Sequence, residues 1–153
     1  MLKYRLLATR VRSELPEINM LVAPPSSRAD VERVHAPLYV AQVFEGRLSK
    51  SEERRIGFPW SPSLVERSRR SAGATQAAAQ SALLDGVSVN LAGGTHHAHH
   101  DFGAGFCVFN DVAIAVRDLQ HQGINKLAVL DLDVHQGDGT AKIFESDPNV
   151  LTT

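Results

Sequence analysis

Between Ser61 and Thr153 the chain alternates helix-patterned segments with short apolar runs, and this alternation constrains its fold more than any other feature. Ser61 is a good helix N-cap and Pro62 suits the first helical position, while Ser63 and Glu66 offer a rival capping box close by. The helix should run through the alanine-rich residues 72–82 to about residue 84, where Asp85-Gly86 ends it. Residues 87–92 form a short apolar run bounded by glycines, the pattern of a buried strand. After a Gly/His loop, Asn110 or Asp111 caps a helix with Val112, Ala115, Val116 and Leu119 at helical spacing, and Gly123 stops it. Residues 127–132, Leu-Ala-Val-Leu-Asp-Leu, read as a second buried strand. Gly137-Asp138-Gly139 turns the chain into a short helix over residues 140–145, Asp147-Pro148 breaks it, and residues 149–153 begin a third strand. An α-β-α-β-α-β order predicts an α/β fold, a parallel sheet flanked by helices.

Residues 1–60 are patterned less regularly. Residues 3–12 predict a helix with Leu6, Leu7 and Val11 on one side, and residues 37–48 contain a short helix with Gly46 near its end. Residues 23–27 and 57–62 are loops, the second stiffened by Pro59 and Pro62. A chain of 153 residues, 43% hydrophobic and 22% charged, suits a single globular domain. No apolar run approaches the ~20 residues needed to span a bilayer, which argues against a membrane partner. The N-terminus is a poor secretory signal, and the lone Cys107 can form no internal disulfide, so a cytoplasmic location is expected. Charge is uneven: 13 Lys/Arg face 8 Asp/Glu up to Arg70, and 3 face 9 thereafter. The basic residues alternate with acids, as in Glu52-Glu53-Arg54-Arg55 and Glu66-Arg67, so they read as solvated helix faces rather than a nucleic-acid surface.

Loops that follow strands of a parallel sheet gather at one edge, so residues 93–105 and 131–139 should share a crevice. Period-2 geometry puts Asp131, Asp133 and His135 on one side of the strand end. Two carboxylates and an imidazole can bind Zn²⁺, with Mn²⁺ or Fe²⁺ as substitutes; the same pattern suits a polar strand end that caps the next helix. His96 and His97 follow two glycines and suit metal ligation, acid/base work or a plain surface loop. Asp131 and Asp138 are the carboxylates available to orient them, fixing the tautomer and raising the basicity of the far nitrogen. His99 and His100 are expected on the surface. Phe106, flanked by Gly105, either lines a narrow channel or packs beneath the loop, and Cys107 is expected to pack rather than act as a nucleophile. Neither a G-x-S-x-G motif nor a glycine-rich phosphate loop competes for the assignment.

Taken together, three blocks resemble the histone deacetylase family and its acetoin-utilisation and acetylpolyamine relatives. They are Leu91-Ala-Gly-Gly-Thr-His-His-Ala98, Gly105-Phe-Cys-Val-Phe-Asn-Asp-Val112 and Val129-Leu-Asp-Leu-Asp-Val-His-Gln-Gly-Asp-Gly139. Weaker similarity extends through Val34-His35-Ala-Pro-Leu-Tyr39 and Gly57-Phe-Pro-Trp-Ser-Pro62, and the latter, with Leu64-Val-Glu-Arg67, is closer to class IV and bacterial members than to class I. The resemblance implies an arginase/deacetylase-like α/β fold, of which residues 1–153 form only the first part of the catalytic domain. It also implies zinc-dependent hydrolysis of an acetyl-lysine-like or acetylpolyamine amide, with an acetylated protein or a small acetylated amine as partner.

Residue by residue, the resemblance makes Asp133 and His135 zinc ligands, and His96 and His97 tandem acid/base histidines partnered by Asp131 and Asp138. Phe106 matches a wall of the acyl-lysine channel, and the Gly105 carbonyl matches an acceptor for the substrate amide. Oxygens around Asp131, Asp133 and His135 match a structural monovalent-cation site for K⁺ or Na⁺. The family's third zinc ligand and oxyanion tyrosine have no match in this sequence. The competing expectation is therefore a catalytically incomplete piece or a non-enzymatic interaction module, prone to self-associate through an unfinished sheet. A dimanganese ureohydrolase on the same general fold would want D-x-H-x-D, whereas this chain has D-x-D-x-H.

Overall fold

The computed structural model describes residues 2–153. Among these residues seven helices and two strands follow in the order α1 (Leu2–Glu14), α2 (Arg28–Glu32), α3 (Pro37–Glu45), α4 (Lys50–Ile56), α5 (Pro62–Asp85), α6 (Asp111–His121), β1 (Leu127–Val129), α7 (Asp138–Phe144) and β2 (Val150–Thr152).

Local chemistry sets most helix ends. Ser61 caps α5 by accepting from the Leu64 N–H, Pro62 fills the first helical position, and the chain leaves through Gly86 at φ 84°. The capping interaction uses Ser61, not the rival Ser63. Two short helices not marked by the apolar pattern, α2 and α4, each open on a capping box, Ser27 with Asp30 and Ser49 with Glu52. Both are too polar to show an apolar stripe, and α4 carries the Glu/Arg run as a solvated helix, as expected. Helix α1 forms where predicted, but none of its residues is buried, and Leu6 and Leu7 remain exposed.

The core lies between α5, α6 and the α2–α3 hairpin. Tyr39, Ile56, Phe109 and Ile114 are almost wholly buried there, with Val31, Val40 and Val43 filling between them. Each such side chain contributes roughly 1.5–3 kcal/mol by leaving water. The polar tips are satisfied: the Tyr39 hydroxyl donates to the Val108 carbonyl at 2.7 Å, and Trp60 Nε1 donates to the Val43 carbonyl at 2.7 Å. Both bonds tie α3 to the segments on which the site is built.

The sheet is parallel, as the alternation predicts, with β1 beside β2 in the register Leu127–Val150, Ala128–Leu151 and Val129–Thr152. Two strand expectations are corrected. Residues 87–92 are not a buried strand: Val87 and Val89 are exposed, and no partner strand lies beside them among the described residues. Of residues 127–132 only the first three pair, and Leu130 and Leu132 face solvent. Apolar composition supplies the propensity for a strand, but a ladder also needs a neighbour to satisfy its N–H and C=O groups. Among the described residues no helix is long and apolar enough to cross a membrane.

Candidate functional site

The tandem histidines sit on a loop braced from beneath by the start of α6. Asn110, wholly buried, caps α6 with its side-chain oxygen. Its Nδ2 donates to the Ala98 carbonyl at 3.1 Å and to Thr140 Oγ1 at 2.9 Å. Asp111, also wholly buried, accepts from the N–H groups of Gly94 (3.1 Å) and Thr95 (2.6 Å) and from the hydroxyls of Thr95 and Thr75. His35 completes the brace. Its Nε2 accepts from the Asn110 N–H at 3.0 Å, so its Nδ1 carries the proton and donates to the His99 carbonyl at 2.8 Å. Burial pushes the His35 ring down to about 4, which keeps it neutral in this role.

Above this brace each tandem histidine meets its own carboxylate. His96 Nδ1 lies 2.6 Å from Asp131 Oδ2, and His97 Nδ1 lies 2.6 Å from Asp138 Oδ1. The ring centroids are 4.2 Å apart, tilted by 54°. Partial burial opposes ionisation of Asp131, but hydrogen bonds from the His96 ring and the Asp133 N–H outweigh it and hold its carboxyl below the ordinary range. Burial likewise opposes ionisation of Asp138, and the rings of His97 and His99 outweigh it. With both acids ionised, Nδ1 of each histidine is the donor and Nε2 is left as the basic nitrogen. No hydrogen bond from the described residues occupies either Nε2.

Glycine is required where these rings crowd the backbone. A Cβ on Gly137 would overlap Asp131 Oδ2 and lie 3.2 Å from His96 Nδ1. A Cβ on Gly105, at φ 53°, would lie 2.7 Å from the His97 ring. The next residue, Phe106, has a left-handed backbone at φ 66°, rare for an aromatic side chain. It is 65% exposed, its N–H donates to the Ile56 carbonyl at 2.7 Å, and its ring meets Phe58 edge-on at 5.2 Å. The core alternative for Phe106 is thereby excluded. It forms an aromatic rim beside His97, with the Arg67 guanidinium 4.6 Å from the Phe58 ring. Cys107 packs as expected: it is buried, and burial pushes its thiol up to about 11.

The aspartate segment is arranged differently from the strand end expected of it. Asp131 Oδ1 accepts from the Asp133 N–H at 3.0 Å, and Asp133 Oδ1 accepts from the His135 N–H at 2.8 Å. Successive side-chain-to-backbone turns replace strand geometry, because residues 131–135 have no paired neighbour among the described residues and these aspartates satisfy the backbone locally. Asp133 Oδ1 also lies 3.0 Å from His135 Nδ1, and the His135 ring centroid is 6.2 Å from that of His97. Two donors 3.0 Å apart can share one ion at the roughly 2 Å bond lengths of zinc. Among the described residues no group of three His, Cys, Asp or Glu side chains is arranged to hold a metal. The donor set therefore fits zinc as two ligands of a larger shell.

Asp131, Asp138, Gly105 and His135 thus lie close to His96 and His97, while Asp133 bonds His135 and Phe106 packs on Phe58. His99 does not lie free on the surface as expected: its ring is 17% exposed, stacks on Phe102 and approaches Asp138. His100 is exposed, though its Nδ1 bonds the Val34 carbonyl at 2.6 Å. Sequence reasoning missed the bracing roles of His35, Asn110 and Asp111. The available signal was the Asn-Asp pair at the start of α6, read only as a cap.

Residues 2–153 match the histone deacetylase domain family. An uncharacterized protein of Picosynechococcus sp. is 50% identical over 126 residues, 82% of this chain and 42% of that protein. Human polyamine deacetylase HDAC10 is 34% identical over 142 residues, 86% of this chain and 21% of that protein. The crystal structure of an HDAC homolog from Aquifex aeolicus superposes with a TM-score of 0.81 at 25% identity, covering 95% of this chain and 42% of the other. The chain spans less than half the length of each of these proteins. With the fold, the three motif blocks and the matched domain in agreement, the chain belongs to the histone deacetylase family.

Proposed function

We propose that residues 1–153 form part of a zinc-dependent deacetylase domain that hydrolyses an acetyl-lysine-like or acetylpolyamine amide. The carrying observation is the pair of adjacent imidazoles, each bonded through Nδ1 to its own carboxylate, with both Nε2 atoms open. The polyamine option draws support from the likeness to a polyamine deacetylase.

In this reading Asp133 and His135 would supply two donors to the metal, and further donors would complete its shell. A bound zinc supplies Lewis-acid polarisation of the amide carbonyl. His97 Nε2 takes a proton from the attacking water and returns it to the nitrogen of the leaving amine. Asp138 keeps the His97 ring in the Nδ1–H tautomer and favours the imidazolium that forms. His96, bonded to Asp131, tunes the charge of the pair. Phe106 and Phe58 flank the acyl chain and exclude water, and the Gly105 carbonyl accepts the substrate N–H. Oxygens around Asp131, Asp133 and His135 would hold a structural K⁺ or Na⁺.

The test is steady-state hydrolysis of an acetyl-lysine peptide and an acetylated polyamine, with and without zinc. The reading predicts metal-dependent turnover, and a His97→Ala variant whose kcat falls about 10²–10⁴-fold with little change in KM. Zinc-independent turnover, or an unchanged kcat in that variant, would contradict it, and no turnover on either substrate with zinc present would favour an interaction module.

A further inference from the structure

Asp138 accepts from more than one imidazole. His97 Nδ1 lies 2.6 Å from its Oδ1, and His99 Nε2 lies 3.3 Å from its Oδ2. One carboxylate therefore bridges two rings. The Asp138 side chain is half exposed, so burial does not hold its rotamer, and the fixed points around it decide where it aims. His99 is such a point. Its ring stacks on Phe102 at 4.3 Å and 19°, and the Arg55 guanidinium lies 4.2 Å from the same Phe102 ring. Phe102 is thus packed by two planar groups, the His99 ring and the Arg55 guanidinium. The His99 backbone is held as well: its N–H donates to the Phe102 carbonyl at 2.9 Å, and its carbonyl accepts from buried His35. Beside an ionised Asp138, His99 Nε2 carries the proton and donates.

We propose that His99 is a positioning residue, which pins Oδ2 of Asp138 so that Oδ1 stays aligned with His97 Nδ1. The proposal rests on the reading of His97 as the acid/base group. A purely structural alternative is that His99 only fills space against Phe102. The two readings differ in what they require of the side chain at residue 99. Positioning needs a donor at the place of Nε2, whereas packing needs only a flat ring.

The test uses His99→Gln, whose amide nitrogen falls near the place of Nε2, His99→Asn, whose amide falls near Nδ1, and His99→Phe, which keeps the stack. The first readout is the low-field NMR signal of the His97 Nδ1 proton, which reports its bond to Asp138 and needs no turnover. The second is kcat and KM on an acetyl-lysine peptide. We expect His99→Gln to keep the signal and most of kcat. His99→Asn and His99→Phe should lose the signal and about 10-fold in kcat, with KM little changed, the scale usual for a partner of a site residue. A His99→Phe protein that keeps both signal and kcat would overturn the proposal, as would Gln and Phe variants that behave alike. If the unsubstituted protein shows no turnover, the catalytic reading fails, and the His97 signal still decides whether His99 positions Asp138.

Discussion

The loop of His96 and His97 and the loop of Asp133 and His135 meet across one crevice, yet they are held by different means. The histidine loop rests on three wholly buried polar side chains, His35, Asn110 and Asp111. Apart from the Asn110 cap on α6 itself, the bonds of that brace join separate segments of the chain. The aspartate loop holds itself by hydrogen bonds two residues apart, while Leu132 and Val134 on it are more than nine-tenths exposed. Preorganisation is therefore unequal. The half proposed to handle protons is built into the core of this chain. The half proposed to bind metal is held by its own turns and by the Asp131–His96 bond.

Substitutions should separate the two halves sharply. The largest effect is expected at Asp111. Replacing it by Ala strands the N–H groups of Gly94 and Thr95 and two hydroxyls in a buried place, a loss of about 3–5 kcal/mol in urea unfolding. The second is a pH effect at His35. The unfolded ring binds a proton below about pH 6.5, whereas the folded ring resists until about 4. Protons therefore favour the unfolded state in that window. The contribution of His35 is fully present above pH 6.5 and is lost as pH falls toward 4, up to about 3 kcal/mol in all. Unfolding of a His35→Gln variant across the same pH range should lack this slope.

A smaller effect is expected for Gly137→Ala. The added Cβ pushes on Asp131 and should cost about 1–3 kcal/mol while parting Asp131 from His96. The His96 Nδ1 proton signal would disappear with it. The smallest effect is expected for His135→Ala. The ring is 74% exposed, so stability should change by less than about 0.5 kcal/mol, while zinc affinity falls. A large destabilisation by His135→Ala, or a mild one by Asp111→Ala, would erase the contrast between the halves.

What the sequence discloses follows the same division between local and distant causes. Helix α5 was legible to within a residue because Ser61, Pro62 and Gly86 act on the backbone beside them. The pairs His96–Asp131 and His97–Asp138 are implied only by the resemblance to the deacetylase family, since 35 and 41 residues separate the partners. The apolar run at residues 87–92 forms no paired strand among the described residues, because pairing is not a property of the run itself. In sequence His99 looks solvated, as a histidine in a polar run does, and only the fold brings Asp138 and Phe102 to it. The roles of His35 and Asp111 were hidden for a related reason. A buried polar residue can be recognised only after its partners are known, and the partner of His35 at Asn110 lies 75 residues away.

The central claim is that the tandem histidines are held by carboxylates for proton transfer and are not metal ligands. Nitrogen-15 NMR of the histidine rings during a zinc titration tests it directly. The account predicts that zinc shifts the His135 ring, while His96 and His97 keep their Nδ1 protons and their bonds to Asp131 and Asp138. Zinc-induced loss of either Nδ1 signal, or a metal-type shift at Nε2 of His96 or His97, would contradict it.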